Sequence, residues 1–250
     1  MPFLIILIVA IVAVFVVYKR FFGLGNPGNA AQYNHENMEK VENSPLEGKH
    51  FIFLGSSVTK GMASFRDSFV DMIAYRNNCS CVKEAVSGTT LVEKDNLLGK
   101  NSISRMKSNL SADMPCDVFV CQLSTNDATK GFPVGQVGDS FDINDFDTMT
   151  VAGAIQYIIA YAKQTWNCPI AFYTSPKYDE PKYEAMVELM YQIAEKWNIE
   201  LIDLWTNDEI NEKYNSISEH YKNDKIHPTK KGYNQWTPVF EKRLAEILAK

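Results

Sequence analysis

An aspartate and a histidine near the carboxyl end of the chain have the spacing of an orienting acid and a base. Asp224 and His227 lie three residues apart in Asp-Lys-Ile-His-Pro-Thr, and Pro228 biases His227 toward an extended loop conformation. Far upstream, Ser57 follows an apolar, β-prone run, where a strand should end and a helix begin. A hydroxyl, an imidazole and a carboxylate form the nucleophile, the base and its orienting partner in acyl transfer. These three residues therefore predict a nucleophilic serine site.

Two segments between Ser57 and His227 supply the donors that such a site needs. Gly88 lies in Ala-Val-Ser-Gly-Thr-Thr and Asn126 in Gln-Leu-Ser-Thr-Asn-Asp, each after a strand-like run. Both are candidate donors to the oxyanion that forms during acyl transfer. Each residue also has a structural interpretation: Ser57 as a helix cap, Gly88 as a turn residue and Asn126 as a loop cap. Their occurrence in one chain favours catalysis.

Taken in order, the four segments resemble the motifs of the SGNH/GDSL family of serine hydrolases. The resemblance extends from about Phe51 to Gly232 and places four residues at the family's Ser, Gly, Asn and His positions: Ser57, Gly88, Asn126 and His227. It implies a triad of Ser57, Asp224 and His227. It also implies an oxyanion hole made by the backbone N–H groups of Ser57 and Gly88 and the side chain of Asn126, with no cofactor and no metal.

The chain departs from the family's motifs at two positions. The first motif usually reads Gly-Asp-Ser and here reads Gly-Ser-Ser, so Ser56 is a rival nucleophile. We favour Ser57, because it occupies the family's Ser position. The third motif usually reads Gly-x-Asn-Asp, and here Ser124 replaces the flexible glycine. Neither change removes a catalytic group.

The first motif also comes within one residue of the Gly-x-Ser-x-Gly elbow of α/β-hydrolases, since Thr59 stands where the second glycine would be. The order of the residues argues against that fold. An α/β-hydrolase has its serine well inside the chain, followed by a separate acid and a distant histidine. Here Ser57 follows the first strand of the domain, and Asp224 and His227 share one loop.

Short apolar runs alternate with helical patterns from residue 49 onward. The runs predict strands over 49–54, 81–86, 117–123, 169–174 and 200–204, and the patterns predict helices over 64–76, 102–110, 151–166, 182–197 and 229–248. Such alternation predicts an α/β fold, a three-layer α/β/α sandwich around a mostly parallel five-stranded sheet. The resemblance implies the flavodoxin-like form of this fold. Ligands of such sheets bind at the carboxyl ends of the strands.

The first eighteen residues contain no charged side chain and are followed by Lys19 and Arg20. This pattern predicts a single-pass membrane anchor over 1–22, and hence a protein of the cell membrane, with the side of its domain left open. A cleaved signal peptide is the alternative, but the basic region that should precede its apolar run is missing. Residues 23–48 predict a flexible linker, and residues 49–250 form the predicted catalytic domain.

Composition narrows the range of partners. The formal net charge of −5 argues against nucleic-acid binding, which needs a basic face. Three histidines, His35, His50 and His220, form no metal-ligand spacing with one another or with the five cysteines. Three cysteines in apolar runs, Cys116, Cys121 and Cys168, are expected to be buried free thiols. The oligomeric state is left open. Residues 131–149 form a long Gly/Asp-rich loop that is a candidate lid or substrate-binding loop.

The resemblance implies hydrolysis of carboxylic esters and leaves the substrate open. A short acyl or acetyl group, with a glycan as one carrier, is the favoured substrate, because no broad apolar lid follows from the sequence. Two alternatives remain: a lysophospholipase or lipase-like acylhydrolase, and a membrane-tethered binding module that has the same fold and no turnover.

Overall fold

A parallel sheet organises the chain, of which the computed structural model describes residues 2–215 and 220–250. Within these residues, five strands pair in the order β2-β1-β3-β4-β5, all parallel. Their bounds are β1 His50–Gly55, β2 Ser80–Ala85, β3 Val118–Gln122, β4 Ile170–Tyr173 and β5 Glu200–Ile202. The predicted five-stranded parallel sheet is confirmed.

The strands are apolar on both faces because helices cover both faces of the sheet. On β1, Phe51 and Phe53 point into one apolar cluster, whereas Ile52 and Leu54 point into the other. All four side chains are buried. This continuous burial is typical of a parallel sheet enclosed between two helical layers.

Helices form the two outer layers, so the predicted three-layer α/β/α sandwich is also confirmed. One layer consists of α3 Phe69–Asn77, α8 Asp208–Asn215 and α9 Lys230–Leu248, and the other of α4 Ser102–Asn109, α6 Val151–Trp166 and α7 Pro181–Trp197. Two short helices lie at the carboxyl edge of the sheet: α2 Ser57–Lys60 begins at the serine where the sequence places a helix start, whereas α5 Thr125–Lys130 was not predicted. They are too short to show apolar periodicity.

The predicted membrane anchor over 1–22, and with it the location at the cell membrane, is wrong. Residues 2–22 do form a helix, α1 (Pro2–Phe22). Among the described residues, however, no helix is both long and apolar enough to cross a membrane. The uncharged part of α1, residues 2–18, is about 26 Å long, whereas a hydrocarbon core is about 30 Å thick. Met1 of the predicted anchor and residues 216–219 of the predicted domain lie outside the described residues.

The segment predicted as a linker packs on the domain. Residues 27–29, 31–33 and 35–37 form three consecutive 3₁₀ turns. Further along, Ser44 donates a hydrogen bond to Asn77 of α3, and Leu46 is buried in one of the two apolar clusters. The segment therefore extends the surface of the α3/α9 layer.

The middle of the long loop over 131–149 packs on the carboxyl end of α7. Phe141 and Phe146 both contact the ring of Trp197, the last residue of that helix. The amino group of Lys196 donates to the carbonyl groups of Gly138 and Ser140.

Candidate active site

The candidate site residues converge at the carboxyl edge of the sheet. Ser57 begins α2 directly after β1, Gly88 lies in the turn after β2, and Asn126 lies in α5 directly after β3. His227 lies in the loop that precedes α9, whose cap is Thr229. Strand ends of a parallel sheet meet at one edge, so segments far apart in sequence become neighbours there.

Ser57, His227 and Asp224 form a continuous hydrogen-bonded chain. The Oγ atom of Ser57 lies 2.8 Å from Nε2 of His227. On the other side of the ring, Nδ1 of His227 lies 2.8 Å from Oδ2 and 3.0 Å from Oδ1 of Asp224. Each heavy-atom distance is within the range of a good hydrogen bond. The structure therefore brings together all three residues that the sequence predicted as a triad.

Asp224 is held by its own loop as well as by the imidazole. Its Oδ1 atom accepts hydrogen bonds from the backbone N–H groups of Ile226 and His227, both at 2.8 Å. Burial opposes the ionised form, but the hydrogen bonds and the attraction of His227 outweigh burial and lower the pKa of the Asp224 carboxyl. The carboxylate is therefore charged at neutral pH and can accept a hydrogen bond from Nδ1 of the imidazole.

Ser56, the rival nucleophile, belongs to a different network. Its Oγ atom donates to Oε1 of Gln122 at 3.2 Å, and its backbone N–H donates to the same oxygen at 2.8 Å. Thr59 also donates to this oxygen and contacts the hydroxyl of Tyr173 at 2.6 Å. Gln122 thus ties the start of α2 to β3, and the hydroxyl that contacts His227 is that of Ser57.

Gly88 adopts a backbone conformation that favours glycine, with φ of +78°. Its carbonyl oxygen accepts from the amino group of Lys130 at 2.8 Å and from the side-chain amide of Asn96 at 3.2 Å. Within the described residues, the backbone N–H groups of Gly88 and Ser57 donate no backbone–backbone hydrogen bond outside the helices and strands. Both N–H groups can therefore donate to a ligand.

Asn126 holds the turn that contains Gly88. Its Nδ2 atom donates to the carbonyl oxygen of Thr89 at 2.9 Å and lies 3.5 Å from Oγ of Ser124. Ser124 itself donates to the Thr89 carbonyl at 3.2 Å. One N–H of the Asn126 amide is thus well used within the protein, and the other has only a long contact, which leaves capacity for a further acceptor.

Asp127 anchors the continuation of the same turn. Its carboxylate accepts from the backbone N–H groups of Leu91 at 2.9 Å and Val92 at 3.0 Å. Burial raises the pKa of this carboxyl to about 6, although these hydrogen bonds oppose the shift. Asp203 accepts hydrogen bonds from Thr174 and Tyr191 outside the triad.

Arg105 of α4 is a site residue that the sequence did not reveal. The side chain is buried, and its guanidinium donates to the carbonyl oxygen of Gly55 at 2.8 Å and to the hydroxyl of Thr89 at 3.2 Å. Its charge is paired with Glu84 at 2.7 Å. Arg105 therefore joins the end of β1, two residues before Ser57, to the turn of Gly88. An arginine in an amphipathic helix carries no sequence signal for such a role.

Burial lowers the pKa of Lys60, which lies three residues after Ser57, and repulsion from Arg66, Arg105 and Lys83 adds to this shift.

Two clefts are present in the described structure, and one of them is lined in part by a residue of the candidate triad. The larger, of about 620 Å³, lies between α1 and the triad loop and is lined by Phe21, Leu24, His220, Asn223 and Asp224 among others. The smaller, of about 410 Å³, lies beyond β4 and β5 and is lined by Tyr178, Asp179, Glu180 and Trp205 among others.

All five cysteines are free thiols. No group of three or more His, Cys, Asp or Glu side chains in the described part of the chain is arranged to hold a metal.

Several solved structures share this fold at low sequence identity. A carbohydrate acetylesterase family member from Sinorhizobium meliloti aligns with a TM-score of 0.57 and 14% identity over 81% of this chain and 100% of its own. A possible lipase from Chitinophaga pinensis aligns with a TM-score of 0.60 and 16% identity over 79% and 98%. A protein from Lactobacillus plantarum aligns with a TM-score of 0.62 and 19% identity over 81% and 97%. At these identities, the likeness establishes the fold alone.

Comparison by sequence identifies the family. No curated protein matches the chain. The model of the GDSL-like lipase/acylhydrolase family, however, matches residues 53–235, which is well over half of the chain. The matched range includes Ser57, Gly88, Asn126, Asp224 and His227. The chain therefore belongs to the GDSL-like lipase/acylhydrolase family.

Proposed function

We propose that this protein is a serine esterase in which Ser57 is the nucleophile, His227 the general base and Asp224 the residue that orients His227. One observation carries the proposal: Nε2 of His227 lies 2.8 Å from Ser57 Oγ, while Nδ1 of the same ring lies 2.8 Å from Asp224. This geometry lets one ring accept the serine proton at one nitrogen while the carboxylate stabilises the resulting imidazolium at the other. Family membership supports hydrolysis of esters in general.

The reaction follows from these contacts. Ser57 Oγ attacks the ester carbonyl carbon as its proton passes to Nε2 of His227, and a tetrahedral oxyanion forms. His227 then gives the proton to the departing alcohol, which leaves an acyl group on Ser57. A water molecule, activated by the same nitrogen, attacks the acyl group and releases the carboxylic acid.

The oxyanion is held by the backbone N–H groups of Ser57 and Gly88 and by the side-chain amide of Asn126. Within the described residues, the two backbone N–H groups donate no backbone–backbone hydrogen bond outside the helices and strands. Preorganised donors stabilise the developing charge without further rearrangement. The turn that carries Gly88 is held from several sides, by Lys130, Asn126 and Arg105, which supports such preorganisation.

A short acyl group, such as acetyl on a sugar, is the substrate that we favour. The cleft beyond β4 and β5 combines the aromatic side chain of Tyr178 with the carboxylates of Asp179 and Glu180. Aromatic faces and carboxylate acceptors suit a ligand that has both C–H surfaces and hydroxyl groups, as a sugar has. The structural neighbour named as a carbohydrate acetylesterase family member supports the same substrate class.

A longer acyl group is the second candidate, and one observation favours it. Leu97 and Leu98, at the tip of the loop before α4, are both strongly exposed. The side chain of Leu98 covers Gly88 so closely that a Cβ atom on that glycine would lie 2.3 Å from it. An exposed apolar side chain beside an oxyanion donor offers a surface on which an alkyl chain is removed from water.

Hydrolysis of nitrophenyl esters from acetyl to palmitoyl tests both candidates. We expect kcat/KM to be highest for the shortest chains and activity to depend on Ser57. A maximum at long chains that is lost in Leu98→Ala would instead support the second candidate. If the folded protein hydrolyses no ester of the series and no acetylated sugar, this result would contradict the proposed esterase function and favour a non-catalytic binding module.

A further inference from the structure

The N-terminal segment, residues 23–37, contacts both the segment that follows the nucleophile helix and the segment that follows His227. These residues are rich in Asn and Gly and show no apolar periodicity, which is why the sequence predicts a linker. In the structure, they cross the surface between the loop after Ser57 and the loop that carries His227. The contacts are mostly hydrogen bonds of asparagine side chains.

Asn29 makes the central connection. Its Nδ2 atom donates to the carbonyl oxygen of Ala63 at 2.8 Å, and its Oδ1 atom accepts from the backbone N–H of Lys230 at 3.0 Å. Ala63 follows the nucleophile helix α2, and Lys230 is the first residue of α9, three positions after His227. One side chain thus joins the segment after the nucleophile to the segment after the base.

Neighbouring contacts reinforce this connection. Asn26 donates to Asn223, the residue before Asp224, at 3.3 Å. Gly28 packs so closely that an added Cβ would lie 2.0 Å from the carbonyl oxygen of His220 and 2.5 Å from Oγ1 of Thr229. A close approach of two backbone segments such as this requires glycine. The loop that carries Asp224 and His227 therefore rests directly on the N-terminal segment.

We propose that Asn29 is a positioning residue, which sets the distance between Ser57 and His227 by tying their two loops together. The inference rests on the proposed function. Ser57 and His227 belong to different elements, so their hydrogen bond depends on how those elements are held relative to each other. A misplacement of about 1 Å in a reacting pair costs about 10²-fold in rate.

Three variants of the full chain test this role. Asn29→Ala removes both connections, whereas Asn29→Asp keeps an acceptor for the N–H of Lys230 but has no donor for the carbonyl of Ala63. Asn37→Ala is the matched control. Asn37 lies in the same segment, and its side-chain amide donates to the carbonyl oxygen of Ala31, which also belongs to that segment. We expect kcat per titrated active site to fall about 10- to 100-fold in both Asn29 variants, with KM unchanged, and neither constant to change in Asn37→Ala.

The readouts separate positioning from folding. Unchanged kcat per active site in the Asn29 variants, even with a lowered Tm, would overturn the proposal and leave Asn29 a purely structural residue. A rise in KM at constant kcat would overturn it too, because it would indicate a role in substrate binding.

Crystal structures of the wild type and Asn29→Ala provide a test that is independent of turnover. We expect the Ser57–His227 hydrogen bond to be lost in the variant, and its retention at 2.8 Å would contradict the proposal. Absence of all esterase activity in the wild type would contradict the proposed function, while the crystallographic comparison still decides the role of Asn29.

Discussion

Ser57 and His227 are separated by 170 residues in sequence, yet Oγ of the serine and Nε2 of the histidine lie 2.8 Å apart. Two features of the fold produce this contact. The nucleophile begins a helix directly after the first strand of the sheet, and the histidine lies in the loop that leads into the last helix. Both loops meet at the carboxyl edge of the sheet, beside the turn of Gly88.

Ser57→Ala should lower kcat by at least about 10⁴-fold, because removing one member disables the whole catalytic unit. Ser56→Ala is the matched control and should keep most of the activity, since the Ser56 hydroxyl contacts Gln122 and not His227. Steady-state kinetics on a nitrophenyl ester measures both variants. The reverse pattern, an inactive Ser56→Ala and an active Ser57→Ala, would assign the nucleophile to Ser56.

Asp224→Asn should lower kcat by about 10⁴-fold without unfolding the protein, because the amide can hold the imidazole in the wrong tautomer. Asp203→Asn serves as control for the loss of a carboxylate at the same end of the sheet. Its partners are Thr174 and Tyr191, so it should lower Tm and leave kcat of the folded fraction unchanged. Near-normal kcat in Asp224→Asn would exclude Asp224 from the triad.

Much of the fold and the candidate site could be predicted from local sequence patterns. Alternating apolar runs and helical periods specify the sheet, and Ser57, Gly88 and Asn126 each follow a strand. The functions of Arg105 and Asn29 could not be predicted, because each acts through contacts between segments far apart in sequence. The anchor prediction was wrong, since among the described residues no helix is both long and apolar enough to cross a membrane.

Asn126→Ala should lower kcat by about 10²–10³-fold with little change in KM, if the amide donates to the developing oxyanion. Asn126→Asp should be at least as harmful, because an ionised carboxylate has no donor and repels the oxyanion. Its observed bond to the Thr89 carbonyl gives a second interpretation, in which Asn126 only supports the turn. In that case the Ala variant would have a lower Tm, while its folded fraction kept near-normal kcat. The values of kcat, KM and Tm should be measured on the same preparation.

Asp127 should make stability depend on pH. Its pKa is raised to about 6 in the folded protein, above about 3.9 in an unfolded chain. The native state therefore binds a proton more tightly than the unfolded state, and this contribution to stability is fully present below about pH 4 and is lost as pH rises through about 6. The free energy of unfolding of the wild type, relative to Asp127→Asn, should accordingly be larger at pH 4 than at pH 7, by about 2–3 kcal/mol.

Urea unfolding of the wild type and Asp127→Asn across this pH range measures that difference. The contributions of groups that titrate identically in both proteins cancel in this difference in free energy of unfolding. A difference that is flat, or that increases with pH, would show that the two backbone N–H groups from Leu91 and Val92 outweigh burial at this carboxyl.

The most direct test of the central claim is covalent labelling with a fluorophosphonate, followed by mass spectrometry of the intact protein and of its peptides. Such a probe reacts with a serine that a neighbouring base has activated. We predict one adduct per chain, located on Ser57, absent from Ser57→Ala and strongly slowed in His227→Ala. A folded wild-type protein that acquires no adduct, or an adduct on a serine other than Ser57, would contradict the account.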